Sequence, residues 1–316
     1  MTTGTHRCAT RRIRLPALAA LPAVITIALS ACGTASADGA ADREDLRARL
    51  LAVTEQSGAE VGLYYRSLSD GGDSVLINPD LRMHAASTMK VPVMMRLVLD
   101  AQEGVRSLDT PVRVTNTFSS IVDGSPFEMT GGADSDSTLY ARLGTEMPVR
   151  DLIDPMITWS SNLATNILIE LADPARINRM LRGVGADSME VLRGVEDIKA
   201  FRAGLSNTTT ARDLGTVMGA VAESDVFTPE SRGTMIEILE RQHFRGAIPA
   251  GVPPGTSVGN KTGWINGIQH DAAIVFPERA PPYVLVVTVR GHPAEDQGEG
   301  MAADLSRIVW EHHAGG

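Results

Sequence analysis

The sequence predicts an α+β (α/β/α) protein: one antiparallel sheet of about five strands, built from both ends of the chain, flanked by helices, with an all-α segment inserted. Three observations predict it. Strand-like runs lie near both ends, at 60–68 and 74–78 and again at 256–264, 268–276 and 283–290. Stretches with helical spacing fill the middle. Strands at both ends with helices between them indicate one antiparallel sheet built from both termini, with a helical part inserted.

The chain has 316 residues, enough for a sizeable core in one or two domains. Its formal charge is −9. An acidic chain argues against nucleic acid or an anionic membrane surface as the partner. Nearly all the basic residues are arginines; the lysines are Lys90, Lys199 and Lys261, so the placement of each carries information.

Residues 1–31 read as a signal peptide. Arg7, Arg11, Arg12 and Arg14 form a positive start, and Leu15 to Leu29 is an apolar run too short for a comfortable membrane span. The run ends Leu29-Ser30-Ala31-Cys32-Gly33, similar to a bacterial lipoprotein signal, which implies cleavage before Cys32 and acylation of that residue. More than one acyl chain would make the attachment stable. An ordinary secretory peptide cut after Ala35-Ser36-Ala37 is the alternative, and Thr10-Arg11-Arg12-Ile13-Arg14-Leu15 leaves the export route open. Cleavage would remove four arginines and no acids, taking the charge to −13. It would also remove Cys8, leaving no pair for an intrachain disulfide.

Residues 32–42, rich in Gly, Ala, Ser and Thr, are expected to be a flexible tether. The domain proper is expected over 43–316, with a sheet subdomain from 43–105 and 208–316 and a helical subdomain from 106–207. A helix with Leu46, Leu50, Leu51 and Val53 on one face comes first. Two strands follow around Asp70-Gly71-Gly72-Asp73, a hairpin turn. A helix containing Ser87 runs to about Glu103 with Gly104 as cap. Residues 115–145 are polar and aperiodic, an exposed loop or lid. Helices are expected at Val149–Trp159, Asn162–Leu171 and Pro174–Leu181. Thr208-Thr209-Thr210 and Thr228-Pro229 cap two more. Three strands and a closing helix from Met301 to His312 complete the chain. The cleft between the sheet and helical parts is the expected site.

The chemistry concentrates at Ser87-Thr88-Met89-Lys90. Three residues apart on a helix, serine and lysine stack on one face. A serine hydroxyl is a poor nucleophile until a base takes its proton. A lysine in a dry, electropositive pocket can lose its own proton and act as that base. Alone the pair is common, so its partners decide. Ser160-Ser161-Asn162 sits at a helix junction, and Lys261-Thr262-Gly263 lies on a strand followed by Trp264.

In this order, Ser-x-x-Lys, Ser-x-Asn and Lys-Thr-Gly resemble the motifs of the penicillin-recognising serine hydrolases, most closely class A β-lactamases, over nearly all of residues 43–316. The resemblance implies a β-lactamase/transpeptidase-like fold and a β-lactam or peptidoglycan-like small-molecule substrate. It implies that Ser87 is acylated with Lys90 as base, and that Ser160 passes a proton to the leaving nitrogen. Asn162 would bind the substrate's side-chain amide. Lys261 and Thr262, beside Gly263, would bind its carboxylate. The N–H groups of Ser87 and Trp264 would hold the oxyanion. No cofactor and no metal is expected, since His84 and His270 lack ligand spacing. A monomer at the extracytoplasmic face, attached through Cys32, is the expected form.

The resemblance departs from its pattern in one stretch, Arg193-Gly194-Val195-Glu196-Asp197. Class A enzymes release the acyl group with a glutamate on an omega-shaped loop. Glu196 is the candidate here and Asp197 the second, but alignment on Arg193 puts Val195 at the glutamate's place. Asn207 replaces the aspartate that usually closes the loop, Gly124 falls where an aromatic walls the cleft, and His270 falls where an arginine backs the carboxylate site. A related hydrolase or D-alanyl peptidase, or a penicillin-binding sensor without turnover, are the alternatives these departures raise.

Overall fold

The computed structural model describes residues 1–2, 34–132, 134–292 and 297–315. Cys32 and the signal segment lie outside the described residues. Contacts divide the chain at Gly39, and Ala40–Gly316 form one compact unit.

Five strands make the main sheet: β1 (Glu60–Ser67), β2 (Ser74–Ile77), β3 (Ser257–Ile265), β4 (Ile268–Phe276) and β5 (Tyr283–Arg290). Their order is β2-β1-β5-β4-β3, with every neighbouring pair antiparallel. The sheet therefore uses both ends of the chain, as expected. β5 lies at its centre, and Tyr283 to Val289 are buried on both faces. This explains the nearly unbroken apolar run of that strand: no face of it meets water.

Two apolar layers cover the sheet. On one face, Leu46 and Leu50 of α1 (Thr34–Gln56) and Leu305 and Val309 of α9 (Gln297–Ala314) pack on Leu63, Leu285 and Val287. On the other, Val284, Val286 and Ile274 meet Leu214, Val217 and Met218 of α7 (Ala211–Glu223). That second layer continues without a break into α2 (Lys90–Gln102), α3 (Val149–Thr158), α4 (Asn162–Ala172), α5 (Pro174–Val184) and α8 (Pro229–Glu240). Each fully buried leucine or valine contributes about 1.5–3 kcal/mol. The site stands at the junction of the sheet with this layer.

The helix ends follow their sequence signals. Thr210 and Thr228 accept from Asp213 N and Ser231 N, and Asp173 accepts from Ala175 N ahead of Pro174. One expectation is corrected. The tether predicted over 32–42 is helical from Thr34, because its alanines favour helix and run directly into α1. A short helix, α6 (Ile198–Arg202), occupies the omega-like loop. The 115–145 loop holds the pair Phe118–Ser119 with Pro126–Phe127 and a 3-10 turn, Thr138–Arg142.

Candidate active site

Ser87 sits in a 3-10 turn, Ala86–Met89, that leads into α2 at Lys90. A 3-10 turn has three residues per turn, so positions i and i+3 eclipse and both side chains leave on the same side. The turn is entered through Ala86 at φ +46°, a costly conformation for a residue with a side chain. It is held by Ala86 N donating to His84 Nδ1 at 3.0 Å and Thr88 Oγ1 to Ala85 O at 2.6 Å.

Lys90 is completely buried. Its Nζ donates to Ser160 O at 2.6 Å, Ser160 Oγ at 3.1 Å and Asn162 Oδ1 at 2.9 Å. Lys261, from β3, is equally buried and donates to the same Ser160 Oγ at 3.0 Å and to Thr262 O at 2.9 Å. One hydroxyl thus stands between two lysine nitrogens. Burial, and then the charge of Lys261, hold Lys90 well below the ordinary lysine range, with Asp134 opposing. Burial pushes Lys261 down to about 7, opposed by the buried carboxylate of Asp271. Burial and the neighbouring charge thus favour the neutral form of Lys90, the form that can serve as a base. Ser160 is kept at φ +57° at the junction of α3 and α4, the second strained residue of the site.

β3 is the open edge of the sheet. The two-residue turn Asn266-Gly267, with Gly267 at φ +73°, makes Ile265 and Ile268 the hydrogen-bonded closing pair. Alternation then makes Trp264 and Gln269 the non-bonded pair, so the Trp264 N–H points out of the sheet edge. Gly263 brings this edge onto the serine turn: a Cβ there would lie 2.9 Å from both Ser87 N and Thr88 N. The Trp264 N–H therefore leaves the sheet edge beside the serine turn that carries the Ser87 N–H. A cavity of about 300 Å³ opens alongside, lined by Thr262, Gly263, Trp264, Phe244, His270 and Glu299. Burial takes His270 down to about 4, leaving it neutral, and its ring is tied to His84 O at 2.9 Å. It supplies no charge where an arginine was expected by analogy.

The omega-like loop closes the other side. Asn166, one turn after Asn162 on α4, accepts from Val195 N at 2.6 Å and donates to Val195 O at 2.9 Å. A Cβ at Gly194 would come within 2.5 Å of Asn166 Oδ1, so glycine is required for that grip. The neck of the loop is closed by Asn207, which accepts from Leu192 N and Arg193 N at 2.7 and 3.1 Å and donates to Arg193 O at 2.9 Å. A neutral amide here does the work of the missing arginine–aspartate pair.

The sequence places Ser87, Lys90, Ser160, Asn162, Lys261, Thr262, Gly263 and Trp264 in three separate segments, and the fold brings them together. Glu196 follows the gripped Val195 at φ +63° and is half-buried. Burial and then the Asp134 charge raise its carboxyl above the ordinary range. Asp197 is no base. It caps α6 through Ala200 N at 3.0 Å and ties down the neighbouring loop through Ser120 Oγ at 2.8 Å and Ile121 N at 2.9 Å. Three contributors escape the sequence motifs: Asn166, Asp271 and Asp134. Only Asn166 carried a signal, its i+4 spacing from Asn162.

The family model described as "Beta-lactamase enzyme family" matches residues 44–313. A beta-lactamase of Bacillus licheniformis is 27% identical over 308 residues, covering 94% of this chain and 95% of that protein. The crystal structure of a beta-lactamase from Sphaerobacter thermophilus has a TM-score of 0.71 at 24% identity, over 85% of this chain and 96% of that one. A structure of PBP-A has a TM-score of 0.71 at 24% identity, over 86% of this chain and 95% of that one. At this identity the two structures speak for the fold alone.

The Gly263 contact can be tested directly. Gly263→Ala is expected to push the sheet edge off the serine turn at a cost of about 1–3 kcal/mol, read as a lower denaturant midpoint. It should slow covalent modification of Ser87 about tenfold or more, since small misplacements at a reacting centre are expensive. Unchanged stability and reactivity would mean that the two backbones do not meet there.

Proposed function

The chain belongs to the beta-lactamase enzyme family, and from that membership we propose that it is a serine hydrolase that opens the β-lactam ring through an acyl-enzyme on Ser87. The observation that carries this reading is Ser160 Oγ held between Lys90 Nζ and Lys261 Nζ, one 3-10 turn from the serine.

Ser87 Oγ attacks the strained amide carbon while Lys90 takes its proton. The tetrahedral oxyanion is stabilised by the N–H groups of Ser87 and Trp264. Collapse breaks the carbon–nitrogen bond, and Ser160 delivers a proton to the departing nitrogen, replenished from the lysines on either side. Lys261 and Thr262 hold the substrate's carboxylate. Lys261 is only partly charged near pH 7, and His270 adds nothing, so that anchor is weak. Asn162 offers its amide to the substrate's side chain while still serving Lys90.

Water must then cleave the ester. Glu196 is the proposed base, its raised carboxyl suiting proton transfer. A second reading has specific support. Asn166 grips Val195, not Glu196, and Glu196 follows in a left-handed conformation. If that geometry keeps Glu196 from the ester, the protein is a D-alanyl peptidase or a penicillin-binding sensor that β-lactams trap. Intact mass of the soluble domain with a penicillin, sampled over time, separates the two. The first reading predicts a transient adduct with turnover, and an adduct that accumulates in Glu196→Gln. A persistent adduct on the unaltered protein favours the second. Labelling that survives Ser87→Ala would overturn both.

Export and a lipid anchor on Cys32 complete the proposal. They are supported by the arginine-rich start, the apolar run and Leu29-Ser30-Ala31-Cys32. An alkyne fatty-acid label should enter the unaltered protein and not Cys32→Ala. Equal labelling of both would discard the anchor.

A further inference from the structure

The N-terminus of α4 carries the two residues that hold Lys90, and its first backbone N–H groups need acceptors. The capping residue, Ser161, serves only Ala164 N, at 3.3 Å. The N–H groups of Asn162 and Leu163 are taken by a side chain from far away: Asp134, whose Oδ1 and Oδ2 each accept one at 2.8 Å. Asp136 N donates to Oδ1 at 3.2 Å and Tyr140 Oη to Oδ2 at 3.3 Å, so the carboxylate is held from both sides. Asn162 in turn accepts from Lys90 Nζ at 2.9 Å.

We infer that Asp134 is a positioning residue for Ser87 chemistry: it clamps the start of α4, fixes Asn162 against Lys90, and sets a negative charge close to that lysine. It touches no reacting atom. A neutral acceptor would satisfy the two N–H groups. The carboxylate does more, because its field reaches Lys90 and Glu196 alike. The charged groups acting on Lys90 are Lys261 from β3 and Asp134 from the loop; Ser160 and Asn162, its other neighbours, are neutral. The two charges oppose each other, so Asp134 limits how far Lys90 is driven to give up its proton.

The kinetic consequence rests on the acylation reading of Ser87, but the central test does not. The chain has three lysines, Lys90, Lys199 and Lys261. Protein labelled with 13C at lysine Cε therefore shows three side-chain signals, and Lys90→Arg assigns one. In Asp134→Asn the Lys90 titration midpoint is expected to fall by about half a pH unit or more, the sign for losing a nearby opposite charge. The acidic limb of the penicillin acylation rate should move to lower pH with it, because Lys90 stays unprotonated further down. Asp134→Ala, which also leaves two N–H groups without acceptors, should slow acylation about tenfold or more at every pH. Asp134→Ser keeps one acceptor without charge and replaces the asparagine variant if that variant does not fold. A Lys90 midpoint that stays put while thermal stability drops would reduce Asp134 to a structural cap and overturn the inference. Failure of the unaltered protein to acylate would instead count against the reading of Ser87, with the Lys90 shift still measurable.

Discussion

Two buried lysines sharing one serine hydroxyl set the terms for the rest of this molecule. Removing an ammonium from water costs several kcal/mol even after the protein relaxes, and Lys90 and Lys261 are both fully buried. Each therefore needs acceptors and a counter-charge, and the fold supplies them from distant segments. Lys261 has the buried Asp271, itself held by Asn260 Nδ2 and Ile248 N at 3.0 Å each. Burial nonetheless raises Asp271 to about 6. Lys90 has Ser160, Asn162 and the field of Asp134. Burial first, and then the charge of Lys261, favour the neutral form of Lys90 that a base requires.

The architecture follows from this requirement. A rigid edge strand must deliver Lys261, a helix start must deliver Lys90, and a helix junction must deliver Ser160. The sheet packed against its helical layer places the three within hydrogen-bond reach and buries both lysines. The glycines at 263 and 194 are the points of closest approach: one admits the sheet edge to the serine turn, the other admits Asn166 to the loop. Strain collects at the same place, at Ala86, Ser160 and Glu196.

Much of this was legible in the sequence. The five strands, most helices and their caps follow from periodicity and local cap chemistry. Ser87, Lys90, Ser160 and Lys261 were legible because each sits in a short motif on a recognisable element. What was not legible depends on distance along the chain. Asp134 stands 28 residues from the N–H groups it serves, inside a loop without periodicity. Asp271 reads as the last of three polar residues near the start of a strand until its cross-strand neighbours are known. Residues 34–42 read as a tether because glycine and serine outweighed alanine in the reading, whereas in the fold the adjoining helix recruits them. In the omega-like loop, spacing from Arg193 already pointed to Val195, and Asn166 holds that very residue.

The central claim is that burial and the Lys261 charge favour the neutral form of Lys90, one 3-10 turn from Ser87, as its base. Neutron diffraction from deuterium-exchanged crystals at neutral pH tests it most directly. The account predicts two deuterons on Lys90 Nζ, with the remaining lone pair free to accept a proton. Three deuterons on Lys90 would contradict it, and would mean that the base for Ser87 lies elsewhere.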